Sequence, residues 1–138
     1  MSFGGGVEIT GMGAFRRNIE REIERHRRDV LSALEAIGDV GVHCSVKCAP
    51  VDQGFLSASI EKSVQFDGGF PVVVIRVPLN AAGSEYAVSM HEDYYELGPN
   101  SRKKQARTGV KIGRKYIVRG IRMARPDITL IITERLKR

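Results

Sequence analysis

The chain reads as an α+β protein: a long N-terminal amphipathic helix packed on a small, mainly antiparallel sheet of three to four strands, with a C-terminal helical tail. Three observations predict this. Apolar residues recur at three- and four-residue steps through the first third of the chain, then switch to alternation. A basic stretch poor in apolar residues follows, and after it helical spacing returns. At 138 residues, 42% hydrophobic and 28% charged, the chain has material for one core and one domain, and too much apolar content for disorder.

Residues 1–13 hold Gly4, Gly5, Gly6, Gly11 and Gly13 around Val7-Glu8-Ile9. Glycine this dense is costly to order, so this segment is expected as a flexible arm or a short edge strand. From Ala14 the pattern becomes helical: Phe15, Ile19, Ile23, Val30, Leu34 and Ile37 form one stripe, with Glu24 and Arg28 at the favourable i,i+4 spacing. The stripe runs on through Cys44 and Cys48, across Gly38 and Gly41, where a bend is expected, and Pro50 ends it. The helix is therefore placed at 14–49.

Val51-Asp52-Gln53-Gly54 reads as a turn into a sheet at 58–92. Ile60, Lys62, Val64 and Phe66 alternate with polar residues, and Asp67-Gly68-Gly69 is a hairpin signal. The β-branched run Val72–Val77 suggests a central strand covered on both faces, and Tyr86, Val88 and Met90 alternate as a third strand. Leu97-Gly98-Pro99-Asn100 breaks that strand, and 98–113 is expected as a mobile basic loop. In the tail at 114–138, Tyr116, Ile117, Ile121 and Met123 suggest a short helix, and Pro126 a fresh helix start. The run Ile128–Thr133 fits either helix or strand.

Charge is concentrated. Between Leu97 and Pro126 lie ten Lys and Arg and no Asp or Glu, so the remainder carries 12 basic against 16 acidic residues, a net −4 beneath an overall +6. The basic segment suits phosphates or an acidic protein surface; base-stacking aromatics are missing from it apart from Tyr116, which disfavours single-strand or sequence-specific recognition. No apolar run is long enough to cross a membrane, and the N-terminus lacks the charged and apolar regions of a signal peptide. Two cysteines four apart make no disulfide framework, which points to a reducing cytoplasm.

Catalytic and metal readings are weak. Cys44 and Cys48 lie on the apolar stripe as small core hydrophobes, with no second ligand pair for zinc. His91 with Glu92, Asp93 and Glu96 superficially suggests acid–base chemistry, but a second histidine at helical spacing is missing, and polar edge residues are the simpler reading. The triple glycine leads into no Lys-Ser or Lys-Thr phosphate loop. No enzymatic activity and no cofactor are expected.

The string Cys48-Ala49-Pro50-Val51-Asp52-Gln53-Gly54-Phe55-Leu56-Ser57-Ala58-Ser59-Ile60 resembles the A-P-V-D-T-G-x-L-x-x-S-I signature of head–tail joining proteins (neck or tail-completion proteins) of tailed bacteriophages, with Gln53 where that family has Thr or Ser. The resemblance spans about residues 12–138: a long charged helix, a Tyr-Ala segment ending in His91-Glu92, a variable loop, and a helical tail entered at an aromatic, Tyr116. The motif positions Pro50, Val51, Asp52, Gly54, Leu56 and Ser59 have structural roles: helix stop, Asx turn, positive φ and core anchor.

The resemblance implies a virion structural protein: a ring at the head–tail neck, of six or twelve copies with six favoured, assembled in the host cytoplasm. Its partners would be copies of itself, the portal or connector, and tail-terminator or tail-tube proteins, with transient contact to transiting double-stranded DNA and none to membrane. Tyr86, His91, Glu92, Arg102, Lys103, Lys104, Arg107 and Lys111 are the candidate interface residues. Protein docking is favoured over DNA for the basic loop, because a channel wall that neutralises phosphates adds drag. The rival reading is a small protein that binds nucleic-acid backbone; a hydrolase using His91 and Glu92 is the weakest.

Overall fold

The computed structural model describes residues 2–3, 7–8, 12–51 and 54–136. Two short strands, β1 (Ser2–Phe3) and β2 (Val7–Glu8), pair antiparallel ahead of the long helix α1 (Met12–Cys48). Then come a short helix α2 (Phe55–Ser59), an antiparallel hairpin of β3 (Glu61–Asp67) and β4 (Phe70–Arg76), and helices α3 (Ser84–Glu92), α4 (Pro99–Thr108) and α5 (Tyr116–Arg135). The architecture is α+β, with a long N-terminal helix, a two-stranded antiparallel hairpin and a C-terminal helix.

α1 runs 37 residues without interruption, about 55 Å of helix. α5 lies antiparallel along its C-terminal half: Gly120 meets Ser45, and Arg135 Nη1 donates to Ser32 Oγ at 2.6 Å. At the crossing the backbones nearly touch. A β-carbon on Gly120 would stand 2.5 Å from both Cα and N of Ser45. The hairpin crosses α1 at the two glycines expected only as a bend. A β-carbon on Gly38 would come 2.8 Å from Lys62 Cδ and 2.9 Å from Val73 Cγ2, and one on Gly41 3.1 Å from Ile75 Cδ1. Lys62 occupies an apolar-row position by laying its stem over Gly38 while its ammonium pairs with Glu35 and Asp39, each at 2.6 Å. The core gathers at the end of α1, from Cys48, Ala49, Leu56, Ile60, Ala87 and Tyr116.

The hairpin forms as its turn residues dictate: Gly68 and Gly69 both have positive φ, 57° and 87°, which matches the right-handed twist of the flanking strands. Four expectations differ from the structure. The sheet of three to four strands at 58–92 is two-stranded, and β4 pairs with β3 alone rather than lying centrally. The expected third strand, Tyr86–His91, is α3. Tyr86 and Met90 are four apart, a spacing that strand and helix share, and Val88 between them is 74% exposed on the back of the helix. The loop at 98–113 contains α4, with Pro99 in its first turn and Gly109 (φ 70°) closing it, the Gly109 N–H donating to Gln105 O. Pro126 sits inside one continuous α5 and starts no new helix.

Candidate assembly surface

The motif turn is a structural joint. Pro50 is buried where α1 stops, Gly54 takes φ 84° ahead of α2, and Leu56 is buried in the core. Ser59 Oγ donates to Phe55 O at 2.5 Å and accepts from Gly83 N–H at 3.0 Å, tying α2 to the approach of α3. Val51 N–H donates to Ser101 Oγ at 2.8 Å, and that hydroxyl donates back to Val51 O at 3.1 Å. Asp52 lies outside the described residues, as does Gln53. Tyr86 is brought to this joint: with Pro50, Val51 and Leu56 it lines a cavity of about 250 Å³.

α4 closes the C-terminal end of α1. Lys104 Nζ donates to Val46 O at 2.6 Å, which also accepts from Ala49 N–H at 3.3 Å, and to Ala49 O at 2.9 Å just past the helix end, and Gly113 N–H donates to Cys48 O at 3.0 Å. Burial pushes the Lys104 ammonium below its ordinary pKa. Lys104 is therefore not a free surface cation, in contrast to Arg102, Lys103, Arg107 and Lys111, which are exposed. Ser101, Lys104 and Gln105, whose Oε1 accepts from Ile112 N–H, form the docked face of α4. That face is polar, so hydrophobic periodicity could not mark it.

His91 and Glu92 pin α3 to α5. Lys115, at φ 60°, donates its N–H to His91 O at 2.8 Å and its ammonium to Glu92 Oε2 at 2.5 Å; His91 Nδ1 lies 2.8 Å from Glu92 Oε1. Lys115 first, and then His91, hold the Glu92 carboxyl below the usual carboxylate range. His91 meets the Tyr116 ring edge-on at 4.9 Å, and Tyr116 OH donates to Ala87 O at 2.9 Å. Burial pushes that phenol up to about 12. Cys44 and Cys48 are buried free thiols with pKa raised by desolvation, which keeps them from being reactive thiolates. Among the described residues no three His, Cys, Asp or Glu side chains converge as metal ligands, and no helix is long and apolar enough to cross a membrane.

Two features escaped the sequence reading. The first is an open cleft of about 570 Å³ between the Tyr94–Leu97 segment and the first turns of α5, lined by Tyr94, Lys111, Arg114, Arg119 and Arg122 among others. Arg114 lies over the Tyr94 ring at 4.2 Å and donates to Glu92 O. The Arg119 guanidinium has all three nitrogens buried and no hydrogen-bond partner among the described residues. An ion taken out of water without a counter-ion carries a penalty of several kcal/mol. The signal for Arg119 was its place on the wheel of α5, three residues beyond buried Tyr116 and next to buried Gly120. The second feature is the N-terminal half of α1, exposed from Gly13 to Arg28 although Phe15, Ile19 and Ile23 continue the apolar stripe. No family model, no curated protein and no solved structure matches this chain.

Proposed function

We propose that the chain is a structural subunit of a ring at the head–tail neck of a tailed bacteriophage, joining portal or connector to tail and letting DNA pass. The observation that carries the reading is the string Ala49–Ile60, set where a long charged helix meets a hairpin and a C-terminal helix entered at Tyr116. Surfaces without a partner among the described residues support it: the first half of α1, with Phe15 58% and Ile23 63% exposed, and the outer edges of the hairpin. A neighbour's strand added to one of those edges would extend the hairpin to three strands. The ring is hexameric, its assembly takes place in the host cytoplasm, and the subunit does no catalysis.

One observation favours a second reading, a protein that binds duplex backbone: Arg102, Lys103 and Arg107 stand exposed on a helix with no acid nearby in sequence. Electron microscopy of the purified chain and of particles carrying it separates the two. Rings, or density at the neck, are expected. A compact dimer that persists in the particle, or a monomer that binds arbitrary duplex with a steep salt dependence and never enters particles, sinks the ring. The triple variant R102Q/K103Q/R107Q should block assembly; normal assembly with altered DNA retention would place α4 on the channel.

A further inference from the structure

We infer that the cleft between Tyr94–Leu97 and the start of α5 is a socket for a carboxylate side chain of a neighbouring protein subunit, with Arg119 as its buried anchor. The inference deepens the ring reading and rests on it for who the neighbour is. Arginine stays charged at any pH the protein meets, so a desolvated guanidinium calls for an anion. The cleft supplies none. Lys111, Arg114, Lys115, Arg119 and Arg122 line it, and Asp and Glu are absent from its lining. Glu92, whose backbone carbonyl Arg114 reaches, already has one carboxylate oxygen on Lys115 and the other on His91. The first turn of α5 has neither an acidic residue nor a side-chain cap, so its free N–H groups add partial positive charge.

The occupant follows from depth and from the walls. The Arg119 nitrogens lie behind the cleft wall, closed to water, so they are reached only by a slender side chain that displaces that wall and whose two oxygens match the fork. A duplex carries its phosphates on a broad cylinder and would meet only the exposed cations. Tyr94, 86% exposed with Arg114 stacked on it, and Tyr95 and Leu97 beside it, have the Tyr–Arg composition of the buried centres of protein interfaces.

The test is ¹⁵N NMR of the purified full chain in the arginine Nε–Hε region. The Arg119 signal is assigned by its loss in R119K, which keeps charge and stem but not the fork. The probes are an acetylated, amidated tetraglutamate peptide and a short DNA duplex of arbitrary sequence. We expect the peptide to shift the Arg119 signal saturably, and R119K to weaken peptide binding about tenfold or more, while R76Q on β4 changes nothing. An Arg119 signal indifferent to the peptide overturns the socket, and so does an equal shift with duplex, which would make it a nucleic-acid site. The wild-type signal gives this answer even if R119K folds poorly. Rings that assemble normally from folded R119K overturn the socket and leave the ring; peptide binding at Arg119 in a chain that never enters particles leaves the socket and overturns the ring.

Discussion

The two halves of α1 share one apolar stripe and have opposite fates. From Ala33 to Ala49 the stripe is covered: Ala33, Cys44, Cys48 and Ala49 are each 5% exposed or less. From Gly13 to Arg28 every residue is exposed, Phe15, Ile19 and Ile23 included. The difference lies in the partner. α5 is 20 residues long, about 30 Å, and its last turn reaches only Ser32, which leaves roughly 30 Å of α1 beyond it. Periodicity therefore specifies a face, and the length of the opposing element specifies how much of that face is filled.

The largest expected effect breaks the covered half at its tightest point. Gly120→Ala should destabilise the chain by about 2–3 kcal/mol, because the new methyl meets backbone that cannot rotate away. Gly13→Ala in the free half, where the nearest contact is an ordinary 3.5 Å to a flexible arginine, should be neutral or stabilising by up to about 1 kcal/mol. Urea unfolding of the two variants measures both, and equal effects would mean the close crossing is not there.

Side-chain truncation sharpens the same contrast. Cys44→Ala and Cys48→Ala should each cost about 1–2 kcal/mol and leave assembly intact. Ile19→Ser and Ile23→Ser should change the stability of the monomer by no more than about 0.5 kcal/mol yet reduce ring formation. Stoichiometric zinc in the native protein, lost with both cysteines, would overturn their role as core residues.

The capped end of α1 allows a smaller test. Lys104→Met takes the ammonium from both carbonyls, leaving Val46 O only its bond from Ala49 N–H, and should cost about 1–2 kcal/mol, whereas Lys103→Met, one position away and exposed, should cost about 0.5 kcal/mol or less. Similar losses from both would show that Lys104 does not cap the helix.

The smallest effect concerns Glu92, which fastens α3 and α5 around the covered end. Its pKa in the folded protein lies below the ordinary 4.5, so its contribution is complete above that value and is lost as pH falls through the folded pKa. The stability gap between wild type and E92Q should be flat at neutral pH and close progressively on the acid side. A gap that does not depend on pH would remove the carboxylate from the account.

How legible each part was in the sequence depended on how local its signal is. The long helix was expected at 14–49 and runs from Met12 to Cys48, and the hairpin follows its own turn glycines. α3 was misread because Tyr86 and Met90 satisfy two periods at once, and only burial of Ala87 against exposure of Val88 tells them apart. α4 carried a Pro start and a Gly stop, but its docking face of Ser101, Lys104 and Gln105 has no apolar residue to betray it. At the candidate surface, charge counting found the ten cations without sorting them by depth. Lys104 is tied inward, the guanidinium nitrogens of Arg119 are buried, and Lys103 is free, although all three look alike in sequence.

The sequence by itself determined the helix stop at Pro50, the positive φ at Gly54, the turn of the hairpin and the stripe of α1, because each rests on φ preferences and side-chain spacing within a few residues. Only the tertiary structure decided that Gly38, Gly41 and Gly120 are places of close approach, that Ser101 holds Val51 fifty positions away, and that the Arg119 guanidinium lacks a partner among the described residues. The physical reason is that each of these depends on which distant segment arrives at a residue, and a local pattern records how a residue shapes its own backbone but not what comes to lie against it.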